Sequence, residues 1–270
     1  MRVSVVIPVY KKLDMFREYL RCNIPHLGDC EMIIVNDNPT SHLPKDLSDP
    51  DLAVQDMIWI NNQENLGFSR SINVGTKRAS GDLIFLLNSD VKLLDDSWIN
   101  ALSAFTLDPN LFGIGFAQRE RDGQIVGRNN LYFKDGLFHH KGLPPIDEFE
   151  NANSSLLTTA FAEGGSSLFR RSMWEALGGF DEAYSPFYWE DVDLSYRASH
   201  RGWKVRFAPH IIVEHHHETN IGAEYSRVQI NATGFRNQLY FTDKFARGIQ
   251  RVEYLFYRYI RLPLQKMKNR

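Results

Sequence analysis

Gly81-Asp82-Leu83-Ile84-Phe85-Leu86-Leu87-Asn88-Ser89-Asp90 reads as an apolar strand that stops at a carboxylate. An unbroken run such as Leu83 to Leu87 suits a strand covered on both faces, as in a parallel sheet. Outward from it, Val3–Val9 is a second short, β-branched run, followed by strands over Glu31–Asn36 and residues 57–60. Helical faces fall between them. Residues 14–22 line up Met15, Phe16, Tyr19 and Leu20, and residues 69–79 and 97–107 form further helices. Strands alternating with helices give an α/β class, a Rossmann-like open mixed sheet flanked by helices. Ligands of such sheets bind at the carboxyl ends of the strands. Those ends are Pro8-Val9-Tyr10, Asn36-Asp37-Asn38 and Asn88-Ser89-Asp90.

Beyond residue 110 the pattern loosens into short strands at 112–117, 125–126 and 131–133. Residues 135–153 read as a loop rich in Gly, Pro and acids. Glu163-Gly164-Gly165 opens a compact block with helices at 172–177 and 190–200 and a strand at 203–207. Three segments follow: 1–110, 111–220, and a C-terminal helical extension over 221–270. From Lys244 onward the extension holds eight Lys or Arg and one acid, Glu253, interleaved with Phe245, Tyr254, Phe256, Tyr257 and Tyr259. Such a segment can lie on an anionic membrane surface or pack on the domain by its aromatic face.

A chain of 270 residues with 43% hydrophobic and 24% charged residues can bury a full core. Its net charge of -2 gives no reason to expect nucleic acid as a partner. Cys22 and Cys30 lack metal-type spacing and read as free thiols in a reducing compartment. With no signal peptide and no membrane-spanning run, the expectation is a cytoplasmic protein, with the extension able to reach the cytoplasmic face of the membrane.

Three clusters can carry chemistry, and each also has a plain structural explanation. Asp90, with Asn88 two residues earlier, can hold a hard divalent cation or simply form a turn. Glu190-Asp191-Val192-Asp193 opens a helix, where acids suit the dipole. The preceding Phe187-Tyr188-Trp189 can desolvate a carboxylate and make it a general base. His215-His216-His217 can supply one or two metal ligands, or merely end a strand. Gly164-Gly165 can serve a turn or a close approach of backbone to ligand.

Taken together these blocks resemble the family-2 glycosyltransferases. The resemblance rests on Val3 to Tyr10, Ile34 to Asn38, Asn65-Leu66-Gly67-Phe68 with Asn73 and Gly75, and Gly81 to Asp90. It continues through Gly178-Gly179-Phe180-Asp181-Glu182, Glu190 to Leu194, Arg197 and Gly202, so it covers residues 3 to about 217. It implies a GT-A fold and transfer, with inversion, of a sugar from a nucleoside-diphosphate donor to a hydroxyl of a glycan or lipid-linked acceptor. Pro8, Val9, Tyr10 and Asp37 would contact the nucleoside, and Asn65, Gly67, Asn88, Ser89, Gly164 and Gly165 the rest of the donor. Asp90 and His215 would bind Mg²⁺ or Mn²⁺. Asp191, beside Glu190, would deprotonate the acceptor. Asn88 replaces the commoner Asp, which leaves coordination mainly to Asp90; this Asn-x-Asp form resembles the rhamnosyltransferase-like branch, and the donors the resemblance favours are dTDP-rhamnose or a UDP-hexose. Ile72 stands where many members have Arg, so no arginine is carried over there. The competing class, a nucleotide-sugar or glycan-binding module without catalysis, would lack an acid at Asp90 or Asp191. A zinc hydrolase built on the His run has no flanking ligand spacing.

Overall fold

The computed structural model describes residues 1–49, 52, 57–144, 156–215 and 221–268. In chain order its strands are β1 (Val3–Val9), β2 (Glu31–Asn36), β3 (Met57–Asn61), β4 (Leu83–Leu87), β5 (Val91–Leu93), β6 (Leu111–Arg119), β7 (Ile125–Val126), β8 (Asn129–Lys134), β9 (Leu137–Gly142), β10 (Leu157–Thr158), β11 (Ser166–Arg170) and β12 (Lys204–His215). Among the described residues ten of them form one mixed sheet along the path β10-β12-β6-β11-β4-β1-β2-β3, with β5 added to β12 and β7 to β6. Strands β3, β2, β1 and β4 are parallel. β11 runs antiparallel between β4 and β6, and β6 is parallel to β12.

The apolar runs earn their place through alternation. Val5, Ile7, Val9, Ile34, Phe85 and Leu87 enter one core layer with Phe16, Leu20 and Leu27 of helix α1 (Leu13–Leu27). Val6, Ile33, Val35, Ile84 and Leu86 enter the opposite layer. There they meet Ile72 of α2 (Phe68–Thr76) and Trp174 of α4 (Arg171–Leu177), with α3 (Leu102–Leu107) on the first side. Leu194 and Ala198 of α5 (Glu190–Ser199) close the second layer. Successive strand residues face opposite sides, so helices on both faces are required to cover them.

Several sequence expectations change. The helix expected over 97–107 starts as a 3-10 turn, Ser97–Ala101, before α3. The strand expected at 203–207 runs on to His215 as one strand, β12, with a register shift between Ala208 and Ile212. The loop expected at 135–153 contains strand β9. Asp135 and Gly136, at φ 53° and 85°, make a two-residue turn from β8 to β9, as Asp-Gly pairs favour. Residues 145–153 of that expected loop lie outside the described residues, as do His216 and His217.

The C-terminal extension forms α6 (Arg227–Phe245), α7 (Gly248–Phe256), a π-helical turn at Tyr257–Arg261, and α8 (Leu262–Lys268). Its aromatic side packs on the domain: Phe241 and Tyr254 share a third core cluster with Phe138, Trp189 and Val192. Lys244 is no membrane-facing charge. Its Nζ lies 2.6 Å from both Asp181 and the fully buried Asp193. Arg251 pairs with Asp243 and Arg261 with Asp135. The extension exposes an apolar stripe, Ile249, Val252, Phe256, Tyr259 and Ile260, along with Arg247, Arg258 and Arg261. Among the described residues no helix is long and apolar enough to cross a membrane.

The Lys244 pairing gives a stability test. Lys244→Met removes one charged partner of Asp193 and leaves Arg197 and Tyr184 to hold it. The expected loss is roughly 1.5–3 kcal/mol, the range for hydrogen bonds to charged groups, read as a lower urea midpoint at unchanged slope.

Candidate active site

The parallel strands deliver their polar ends to one edge. Asp37 follows β2, and its backbone N–H donates to the carbonyl of Val9 at 2.8 Å, joining the ends of β1 and β2. Its carboxylate accepts from the N–H groups of Leu66 and Gly67, both 2.8 Å, and from Asn62 Nδ2 at 2.9 Å. One carboxylate therefore pins the loop that leads into α2. Of its roughly four lone-pair sites, three are taken. Gly67 turns at φ 79°, and a Cβ there would lie 2.7 Å from Ser185 Oγ. Only glycine suits both the left-handed backbone and the contact.

Next along the edge, Asn88-Ser89-Asp90 follows β4. Two pairings bring distant residues beside it. β5 pairs antiparallel with the end of β12, placing His215 opposite Val91. β11 pairs antiparallel with β4, so the residues just before it come to Asn88, whose N–H donates to the carbonyl of Gly165 at 2.8 Å. His215 Nε2 then lies 3.4 Å from Asp90 Oδ1, both side chains buried. A Cβ on Gly165 would stand 3.0 Å from both Asn88 Nδ2 and His215 Cε1. The glycine thus keeps open a narrow space between strands. Asn88, whose Nδ2 faces this space, has a buried Oδ1 that finds no hydrogen-bond partner. An orphaned amide oxygen, a carboxylate and an imidazole nitrogen in one place form a donor set that suits a small divalent cation.

Across the cleft, α5 begins with three acids that take different parts. Asp193 is fully buried and bound by Arg197, Lys244 and Tyr184, the last at 2.9 Å. It is structural. Glu190 and Asp191 instead line the cleft. Burial, then the neighbouring Glu163 carboxylate, pushes the Asp191 carboxyl up to about 7. Burial and the charge of Asp191 raise Glu190 as well, and its Oε2 has no partner. Desolvation here outweighs the helix dipole, which favours the ionised form. Pro8, Val9, Tyr10, Asp37, Asn65, Gly67, Asn88, Ser89, Asp90, Gly164, Gly165, Glu190, Asp191 and His215 all border this one cleft of about 780 Å³. Of the other candidates, Asp193 lies outside the cleft lining, and His216 and His217 lie outside the described residues.

The sequence model described as glycosyl transferase family 2 matches residues 4–178. The chain belongs to this family. A second model, glycosyl transferase family group 2, matches residues 146–267 of the glycosyltransferase. Among curated proteins, the O-antigen biosynthesis protein RfbC of Myxococcus xanthus is 24% identical over 83% of this chain and 18% of its own length. The pre-mycofactocin glycosyltransferase of Mycobacterium tuberculosis is 25% identical over 81% of this chain and 43% of its own. The chain spans less than half the length of either relative. Among solved structures, GalNAc-T7 with UDP, GalNAc and Mn²⁺ superposes with a TM-score of 0.65 at 16% identity, over 80% of this chain and 44% of that one. The mannosyltransferase PcManGT of Pyrobaculum calidifontis, with GDP-Man and Mn²⁺, gives 0.61 at 16% identity, over 92% and 65%. The fold is the GT-A fold.

Four residues in and around this cleft escape a reading of local pattern. Glu163 precedes Gly164-Gly165, a visible clue, and accepts from Gln118 and Asn129. Those two lie on β6 and β8 with nothing in their local pattern to mark them. Asn237 of α6 is the fourth. Tyr188 and Trp189, at φ 74° and 80°, are two successive non-glycine residues in left-handed backbone immediately before Glu190. Such conformations cost on the order of 1–3 kcal/mol each and persist only where the surroundings impose them. Asn237, fully buried, imposes them: its Nδ2 donates to the carbonyls of Tyr184, Phe187 and Tyr188 at 2.8–2.9 Å. Asn237→Ala is expected to leave a folded protein destabilised by roughly 1–3 kcal/mol. Its turnover should fall at least about tenfold as the turn relaxes, a barrier change of about 1.4 kcal/mol. Melting curves and steady-state rates on the same preparation measure both.

Proposed function

We propose that the chain is an inverting, metal-dependent glycosyltransferase that moves a sugar from a nucleoside diphosphate to a hydroxyl of a glycan or lipid-linked acceptor. The observation that carries this reading is the placement of Asp191, with its raised pKa, across one cleft from the Asp90–His215 pair. The strand ends from Pro8 to Tyr10, with Asp37, form the nucleoside side of the first segment, and residues 111–220 supply the acceptor side. Asp90 and His215 would hold Mg²⁺ or Mn²⁺, which neutralises the diphosphate when bound. Asp191 accepts the proton of the acceptor hydroxyl. The hydroxyl oxygen bonds to the anomeric carbon from the face opposite the diphosphate, and the bond from that carbon to the diphosphate oxygen breaks. The Gly164 N–H, 3.4 Å from Asp191 Oδ2, helps aim the carboxylate.

The solved neighbours carry UDP in one case and GDP-Man in the other, while the resemblance at Asn88-Ser89-Asp90 favours dTDP-rhamnose or a UDP-hexose. A thermal-shift screen of UDP-, GDP- and dTDP-sugars with and without Mn²⁺ discriminates among them, since a ligand of the folded state raises the melting temperature. The relative named for O-antigen biosynthesis favours an acceptor in cell-envelope polysaccharide. Contact with an anionic membrane surface would come through the stripe at Ile249, Val252 and Phe256, and replacing these with Ser should abolish flotation with anionic liposomes.

Asp191→Asn tests the base. Transfer should fall by two orders of magnitude or more, within the about 10²–10⁴-fold range of acid–base catalysis, while donor still binds. In the unaltered enzyme kcat/KM should decline as pH falls below about 7, where Asp191 takes up its proton. The same group predicts a stability effect of opposite sense. A carboxyl whose pKa rises from 3.8 to about 7 on folding stabilises the fold below 3.8, and that contribution is lost as pH rises through 7. Asparagine never ionises, so Asp191→Asn should melt above the parent at pH 8. Near-native turnover in this variant would contradict the base assignment, and a metal requirement unchanged in Asp90→Ala would contradict the metal assignment.

A further inference from the structure

A relay of buried amides connects the two ends of the cleft. Asn129 Nδ2 donates to Glu163 Oε1 at 2.7 Å, and Gln118 Nε2 donates to Glu163 Oε2 at 2.9 Å. Gln118 Oε1 lies 2.8 Å from His215 Nδ1, and His215 Nε2 lies 3.4 Å from Asp90 Oδ1. Gln118 is 1% exposed. The register sets this arrangement, since Gln118 on β6 pairs with Val213 on β12, two residues before His215.

Hydrogen-bond bookkeeping fixes the polarity of the chain. An ionised carboxylate only accepts, so the amide nitrogen of Gln118 must face Glu163 and its oxygen must face His215. That oxygen only accepts, so the short contact requires the imidazole proton on Nδ1. Nε2 is then the ring nitrogen that faces Asp90 Oδ1. Asp90, His215 and Asn88, whose Oδ1 has no hydrogen-bond partner, border the same cleft. We infer that Gln118 is a positioning residue, held by Glu163, that fixes the tautomer and orientation of His215 so that Nε2 is the nitrogen offered to a divalent metal. The inference rests on the metal reading above and adds an outer-shell partner to it. Such partners contribute about 10–100-fold to metal affinity elsewhere.

The test is Mn²⁺ affinity, measured from the free-ion EPR signal in the presence of UDP, GDP or dTDP, whichever binds. The set is the parent, Gln118→Leu, His215→Ala and the double variant. Gln118→Leu should weaken Mn²⁺ binding about 10–100-fold. Mg²⁺, which prefers oxygen ligands, should be affected less. If Gln118 acts through His215, the double variant binds no worse than His215→Ala alone. Parent-like affinity in His215→Ala would remove the metal reading itself. Loss in His215→Ala with parent-like affinity in Gln118→Leu would overturn only the role of Gln118, as would additive losses in the double variant. Should Gln118→Leu fail to fold, the nitrogen-15 spectrum of His215 in the metal-free parent decides. A proton on Nδ1 supports the inference, and one on Nε2 overturns it.

Discussion

The two-sided burial of β1, β2 and β4 is the constraint on which the rest of the molecule depends. Their side chains enter core layers on both faces, so these strands have no polar flank and can present chemistry only where they end. Parallel direction then puts all three ends on one edge. Asp37 uses its carboxylate to fasten the following loop, while Asp90 stays at the cleft. The antiparallel strands β11 and β5 extend the same edge by bringing Gly165 and His215 to it. Function is concentrated there because the sheet leaves it nowhere else to go.

Such concentration has an electrostatic cost. Asp90, Glu163, Glu190 and Asp191 border one cleft, and two of them have pKa values raised by burial and by each other or by Glu163. Asp193 shows what a carboxylate looks like when stability alone governs it: surrounded by an arginine, a lysine and a tyrosine. Glu190 and Asp191 instead border the cleft with their carboxyl pKa values raised. A site of that kind gains from a proton at one end and a divalent ion at the other, and it holds a strained turn, Tyr188-Trp189, against relaxation through Asn237. Local cost at a functional site, offset by the surrounding fold, is the expected pattern.

Much of this was legible in the sequence because it depends on local periodicity. The continuous runs gave β1, β2 and β4, and the residues after them are the ones that meet in the cleft. What stayed hidden depends on register and on long-range partners. The family resemblance already put His215 with Asp90, but the pairing of β12 with β5 that joins them was not visible. Gln118 and Asn237 look like ordinary polar residues until their partners, 97 and about 50 positions away, are known. The hairpin at Asp135-Gly136 was a missed local signal, since that dipeptide between two strand-forming stretches favours a two-residue turn. In the extension, the basic residues suggested an exposed charged face. Lys244, Arg251 and Arg261 pair with acids of the chain itself, Arg247 and Arg258 are exposed, and an apolar stripe faces outward beside them.

The central claim is that the Asp90 edge of the cleft receives a metal-bound nucleoside diphosphate. The most direct measurement is an anomalous difference map at the manganese edge from crystals grown with Mn²⁺ and the nucleoside diphosphate that stabilises the protein most. A manganese peak within bonding distance of Asp90 and His215 Nε2, with the diphosphate beside it and the nucleoside against Pro8 to Tyr10, is the predicted result. A nucleotide bound away from the ends of β1 and β4, or manganese held without Asp90, would contradict the account.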